Sequence, residues 1–409
     1  MRSAATIVVG AGQAGLALSH HLAAAGHDHV VLERGRVGER WRSERWESLT
    51  LLTPNWHNRL PGAAPLADPA GFLDRRGFVD HLEDYAANAP VLEQTTVLRV
   101  RRAGHGYCVA SDAGDWSGGS VVIATGDSDA PAVPAIAAAA PPFLHQTHAS
   151  GYRRPDALPE GAVLVVGAGP SGQQIAAELA RAGRAVTLAS GRHARLPRRY
   201  RGRDIYEWLG AIGHLGTVTD GRPVQRSVGP PLSGRDGGES LGLERLAAMG
   251  VAVCGRLEGF AGRHAILGAN LRADARAADE RMRRRLDSID AHIEATGTPA
   301  GPRERPAAAL PDPGPASIDL AAAGIATIVW ATGYRRSYPW LHVPVRDAAG
   351  ELIQRGGMTP APGLFALGLY FQRTRSSHAI GGVGADAAMI AARITGERDL
   401  APRRLARAA

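Results

Sequence analysis

Ala5-Thr6-Ile7-Val8-Val9-Gly10-Ala11-Gly12-Gln13-Ala14-Gly15 is the stretch on which the fold turns. Its first half is a short β-branched run suited to a buried strand. Its second half has the spacing GxGxxG. Leu16 to Ala25 then reads as a helix stopped at Gly26. Val30-Val31-Leu32 reads as a second buried strand, with Glu33 directly behind it. Strand, glycine turn, helix, strand and acid is the order of a dinucleotide-binding unit. Gly10 permits the tight turn, Gly12 lets the backbone approach a pyrophosphate, and Gly15 lets the helix press on the strand. Gln13 and Ala14, within the glycine turn, are candidates for the same site, and the unpaired N–H groups and partial positive charge of the helix N-terminus face the phosphates. Glu33 follows Gly15 by 18 residues, where a carboxylate accepts hydrogen bonds from ribose hydroxyls; Arg34 joins it as a candidate.

The pattern returns 157 residues later. Ala162-Val163-Leu164-Val165-Val166 runs into Gly167-Ala168-Gly169-Pro170-Ser171-Gly172, then a helix Gln173–Arg181 closed by Gly183, and a strand 185–189. The copies differ at the position that chooses the nucleotide. Glu33 becomes Ser190, with Arg192, His193 and Arg195 behind it. A carboxylate repels a 2′-phosphate, whereas an uncharged serine followed by cations suits one. A solvated surface loop is the other reading of these arginines. The first unit therefore suits FAD or NAD and the second NADPH. Two such units in one chain imply electron transfer between two cofactors, NADPH to FAD being the most economical. The fold class expected is α/β, with two doubly wound Rossmann-like domains.

Composition narrows the rest. With 409 residues and 44% hydrophobic content the chain is long enough for two or three packed units. Its net charge is 47 − 39 = +8, and all 47 basic residues are arginine. Without lysine there is no Schiff-base aldolase, no lysine-bound PLP and no P-loop. The arginines are spread out and alternate with acids, which argues against nucleic acid as a partner. Cys108 and Cys254 lie far apart and form no CxxC, so thiol–disulfide exchange and a zinc ribbon are excluded. A reducing cytoplasm is the expected location. No apolar run is long enough to span a membrane. The segment from Arg2 to Leu18 imitates a signal peptide, but its glycine spacing belongs to the nucleotide motif. His145 and His148 lack further ligands, so no metal is expected.

Other segments follow in a set order: Gly38-Glu39-Arg40-Trp41-Arg42, Leu52-Thr53-Pro54-Asn55, Ile123-Ala124-Thr125-Gly126, and Gln146-Thr147-His148 with Tyr152. Trp330-Ala331-Thr332-Gly333-Tyr334 and Pro362-Gly363-Leu364-Phe365-Ala366-Leu367-Gly368 come last. On these, over nearly its whole length, the chain resembles the flavin-containing monooxygenase family. The likeness is closer to its bacterial FAD/NADPH-dependent branch, of class B type. The resemblance implies FAD and NADPH as cofactors. It also implies insertion of one oxygen atom from O2 into nitrogen, sulfur or carbon of a small organic substrate, through a flavin C4a-(hydro)peroxide. Asn55 or Asn58 would supply an amide near the flavin, with a turn asparagine beside Pro54 as the plainer reading. Arg40 reads as a partner for an FAD phosphate or equally as a surface charge, and Trp41 as a wall for the flavin ring or as a core aromatic. Gly382 and Gly384, before a helix from Ala385 to about Ile394, would face the flavin's N1 and C2=O, with an ordinary glycine turn as the plainer reading. The family's linker motif is half present: His148 and Tyr152 match, while Pro142 and Leu144 stand where Phe and Gly belong.

The FAD domain is expected over 1–150 and 322–409, with the NADPH domain over 151–321. Residues 41–58 read as a loop over the flavin. Residues 276–295 read as an amphipathic helix through Met282, Leu286, Ile289 and Ile293, and 297–316 as a loop. A homodimer is an open expectation. The alternatives are an NADPH-dependent flavin oxidoreductase or oxidase with no oxygenated product, and a flavoprotein sensor.

Overall fold

The computed structural model describes residues 1–219, 227–307, 311, 312 and 314–396. Residues 397–409 of the expected FAD domain, and 308–310 and 313 of the expected loop, lie outside the described residues.

Two five-stranded parallel sheets carry the molecule. Their strands are β1 (Thr6–Val9), β2 (His29–Leu32), β3 (Val91–Leu92), β4 (Ser120–Ile123), β5 (His145–His148), β6 (Ala162–Val166), β7 (Val186–Ala189), β8 (Ala252–Cys254), β9 (Ile325–Trp330) and β10 (Leu364–Ala366). The first sheet has the order β10-β4-β1-β2-β3, the second β5-β9-β6-β7-β8. The central strands β1 and β6 are almost wholly buried, as β-branched runs covered on both faces must be. Each leads through its glycine turn into a helix, α1 (Gln13–Ala24) after β1 and α2 (Pro170–Arg181) after β6. Both helices start three residues earlier than the sequence suggested, at the glycine turn itself, because no side chain is needed to begin them. Three further helices matter below: α3 (Ile205–Ala211), α4 (Leu271–Thr296) and α5 (Val383–Thr395). α4 contains the expected amphipathic stretch and buries Met282, Leu286, Ile289 and Ile293 against Tyr206, Trp208 and Leu209 of α3. α5 packs on α1.

The domain boundaries differ from those expected. β5 lies within 1–150 and β9 within 322–409, yet both belong to the second sheet, where β9 pairs with β5 on one side and β6 on the other. The run Ile325–Trp330 is hydrophobic enough to be an inner strand, and only the second sheet offers it two neighbours. The chain changes sheets instead at a short antiparallel ribbon, Ala130–Pro131 against Tyr334–Arg335. A single apolar cluster, containing Val8 and Val122 of the first sheet and Val163 and Val165 of the second, runs through both bodies.

Residues 41–58 are mostly irregular, as expected, with a five-residue helix Glu39–Ser43 and one 3-10 turn Asn55–His57 set into them.

Candidate functional site

One cavity of about 1690 Å³ reaches both glycine turns. A pocket for a single drug-sized ligand takes roughly 300–1,000 Å³, so there is room for more than one. Gly10, Gly12, Gln13, Ala14 and Glu33 line it from the first body, Gly169, Pro170 and Ser171 from the second. Neither α1 nor α2 has a side-chain cap, so their first N–H groups are left for a ligand.

The glycines divide by what surrounds them. A Cβ on Gly12 would meet nothing within 4 Å, and one on Gly169 only a side-chain carbon at 3.9 Å. These two leave space for a pyrophosphate. The others are packed. A Cβ on Gly10 would sit 2.8 Å from the Ala124 carbonyl, and one on Gly167 2.5 Å from the Ala331 carbonyl. Gly15 and Gly172 would clash at 1.9 and 1.8 Å with the carbonyls of Gly10 and Gly167. The two Ala-Thr-Gly segments thus have a mechanical job: each ends a strand whose carbonyl rests on a fingerprint glycine. Gly15, Gly167 and Gly172 shape the turns without lining the cavity. Ala124, Thr125, Gly126, Ala331 and Gly333 do line it, whereas the Thr332 hydroxyl donates to the Ala132 carbonyl at 2.7 Å and faces away.

Glu33 stands at the end of β2. Its Oε2 accepts from the Ala11 N–H at 2.8 Å and its Oε1 from the Gly35 N–H at 3.0 Å. Each carboxylate oxygen accepts more than one bond, so capacity for ribose hydroxyls remains. Arg40 pairs with Asp129 and the Ser128 carbonyl, bracing the crossover beside the cavity. Arg34, about half exposed, lies 3.7 Å from Glu44. Trp41 lines the cavity edge-on to Phe78, the ring centroids 4.7 Å apart.

On the second side the expected phosphate group separates into unequal parts. Ser190 is fully buried, its hydroxyl turned to the Gly191 carbonyl, and it does not reach the cavity. His193 does, but burial holds its pKa below the usual histidine value. Arg195 is spent: it pairs with Asp279, with Glu244 at 3.0 Å, and donates to the Ala307 carbonyl at 2.6 Å. Arg192 is exposed, lines the cavity and has no ion pair among the described residues. Arg281 of α4, which the sequence did not single out, also lines it and donates to the His193 carbonyl at 2.8 Å. The four-residue step from Arg281 to Arg285 was the only sequence signal, on a helix already rich in arginine.

Two groups of candidates are displaced. Asn55 is 5% exposed and fully engaged elsewhere. Its amide donates to the Ala67 and Asp68 carbonyls and accepts from the Leu73 N–H, all at 3.1 Å. Asn58 is fully buried; it accepts from the Thr53 hydroxyl at 2.6 Å and donates to the Thr53 carbonyl at 2.9 Å. Neither amide reaches the cavity, because both close the turns that follow Pro54. Thr53 and His57 line it instead. Asn55→Ala should therefore cost about 2–3 kcal/mol of stability, roughly 1 kcal/mol for each buried bond lost, in urea unfolding. Flavin content per folded molecule should stay unchanged. A bleached but fully stable variant would return Asn55 to the flavin. Gly382 and Gly384 also miss the cavity. Cβ atoms there would lie 1.9 Å from the Ser376 carbonyl and 2.8 Å from Pro61, so these glycines let the turn before α5 pack inward. Ala379 and Ile380 take the place on the cavity wall.

The half-present linker motif has structural work. His148 Nε2 lies 2.9 Å from the Gly333 carbonyl, and its ring meets Tyr334 edge-on. The Tyr152 hydroxyl donates to Glu178 of α2 at 2.9 Å, and Ser48 of the first body donates to the same carboxylate at 2.6 Å. This ties the two bodies beside the cavity.

The family model for pyridine nucleotide-disulphide oxidoreductases matches residues 7–205. An uncharacterized CzcO-like oxidoreductase of Geobacillus kaustophilus is 30% identical over 386 residues, 93% of this chain and 95% of that protein. A probable indole-3-pyruvate monooxygenase of Arabidopsis thaliana, YUCCA4, is 29% identical over 180 residues, 43% of this chain and 44% of its own. Among solved structures, a flavin-containing monooxygenase from Stenotrophomonas maltophilia superposes with a TM-score of 0.66 at 20% identity, covering 97% of this chain and 99% of that one. The disulphide chemistry in the matched family's description has no counterpart in this chain. Cys108 and Cys254 are both buried and unpaired, and burial pushes the Cys254 thiol up to about 12. No described helix is long and apolar enough to cross a membrane. The chain thus belongs with the CzcO-like oxidoreductases, is itself an oxidoreductase, and shares its fold with the flavin-containing monooxygenases.

Proposed function

We propose that the protein is an FAD-dependent, NADPH-consuming monooxygenase that places one atom of O2 on nitrogen, sulfur or carbon of a small organic substrate. The observation that supports it best is the single cavity with Glu33 at one glycine turn and Arg192 at the other. Glu33 takes the ribose hydroxyls of FAD, and the first N–H groups of α1 take its pyrophosphate, which Gly12 lets approach. Gly169 and α2 do the same for NADPH, while Arg192, with Arg281 behind it, meets the 2′-phosphate. When bound, the flavin accepts hydride from NADPH and activates O2. The chain's part is to hold the two rings together and keep water away. Trp41, Trp46, Leu49 and Ile380 supply apolar wall for that.

The test is turnover with NADPH under 18O2 across a panel of amines, sulfides and ketones. One labelled oxygen per product, at about one NADPH each, is the expected result. NADPH oxidation that yields only hydrogen peroxide for every compound would overturn the oxygenase reading. It would favour a flavin oxidoreductase or oxidase instead, a reading with one observation behind it: neither Asn55 nor Asn58 turns its amide to the cavity.

A further inference from the structure

Some of the arginines lining the cavity have a carboxylate: Arg34 has Glu44, Arg40 has Asp129, and Arg195 has Asp279 and Glu244. Arg285 of α4 and Arg375, on the segment between β10 and α5, do not. Both line the cavity, and neither has a carboxylate partner among the described residues. The Arg375 guanidinium lies over the Phe371 ring, 4.9 Å from its centroid, and its Nε is buried without a hydrogen-bond partner among the described residues. They also repel one another. Burial and the field of Arg375 pull the Arg285 pKa down. Burial and the same two guanidinium groups push His214, between them in influence and also on the cavity wall, down to about 3. Neighbouring wall is apolar: Tyr206 and Leu209 of α3 and Met282 of α4 belong to one cluster with Leu52.

Like charges held together against a low-dielectric wall are costly unless an anion joins them. The nucleotides' phosphates already have receivers in the helix N-termini and Arg192. We infer that Arg285 and Arg375 form a subsite for the carboxylate of an organic acid substrate whose apolar body lies on Tyr206, Leu209 and Met282. The inference rests on the oxygenase reading only for the word substrate; the binding itself stands apart from turnover.

The experiment uses the flavin-loaded protein with phenylacetate, 3-phenylpropanoate and octanoate as probes, and phenylacetamide as the neutral control. Binding is read by calorimetry and by the shift in melting temperature. At least one carboxylate should bind 10-fold or more tightly than the amide. Arg285→Met and Arg375→Met should each weaken it 10-fold or more, keep the affinity for NADP+ within twofold, and leave the ligand-free melting temperature equal or higher, since a repulsion is removed. Three outcomes overturn the inference. None of the three carboxylates binds better than the amide. Or the variants lose NADP+ in the same proportion, which would give the pair to a nucleotide phosphate. Or they melt lower while carboxylate binding persists, which would make the pair structural. Carboxylate binding, with hydrogen peroxide as the only product from every amine, sulfide and ketone, would sink the oxygenase reading alone; labelled product from neutral compounds, with no carboxylate bound, would sink this inference alone.

Discussion

Gly12→Val yields a folded, colourless protein. Nothing lies within 4 Å of a Cβ at Gly12, and its backbone is extended, a conformation valine adopts readily. The fold therefore has no objection to the side chain. The pyrophosphate does, because the new methyl groups occupy the space into which it must come to meet the N–H groups of α1. Flavin affinity should fall more than about 100-fold, ~2.7 kcal/mol. Far-ultraviolet circular dichroism should be unchanged while absorbance near 450 nm disappears. Gly15→Ala makes the contrast. Its Cβ would lie 1.9 Å from the Gly10 carbonyl, a backbone clash that no rotamer relieves, so that variant should lose its fold together with its colour. A yellow Gly12→Val protein would remove the first glycine turn from the flavin site.

Arg192→Ala raises the KM for NADPH and leaves that for NADH alone. Charge-assisted hydrogen bonds to a phosphate contribute about 1.5–3 kcal/mol, so the expected rise is roughly 10- to 100-fold. Arg195→Ala should behave differently. Its guanidinium is committed to Asp279 and Glu244, so its loss leaves Glu244 without that partner and the buried Asp279 with Arg283 alone, and lowers stability more than nucleotide selectivity. Steady-state kinetics with both nucleotides, beside melting curves, separates the two arginines. Equal effects of Arg192→Ala on NADH and NADPH would show that it does not meet a 2′-phosphate.

The frame of the molecule was legible because it is local. A β-branched run, three glycines and an acid at set distances fix a strand, a turn and a helix within about 30 residues, and the chain does this twice. Sheet membership was not. Ile325–Trp330 looks the same whichever sheet receives it, and only its pairing with β5 and β6 decides. The site was readable where backbone makes it and unreadable where side chains compete. Gly12, Gly169 and Glu33 reach the cavity because strand ends and helix starts point there. Asn55 and Arg195 were plausible by type and place, but nearer groups claimed their polar atoms: the 67–73 turn and the acids of α4 and its neighbours. Arg281, Arg285 and Arg375 converge from two segments about 90 residues apart, a separation that no local pattern reports.

The ribbon Ala130–Pro131 with Tyr334–Arg335 bears on how so interrupted a sheet can close at all. β10 must find β4 across 241 residues of chain, Ile123 to Leu364. Bringing the ends of a flexible loop that long together costs about 3 kcal/mol more than closing one of fewer than ten residues. Once the second body has formed, its entry and exit strands lie side by side, and the intervening chain counts, entropically, as little more than a hairpin. The interruption is thereby made nearly costless to the first sheet, and the expense of a long detour is met by the body that occupies it.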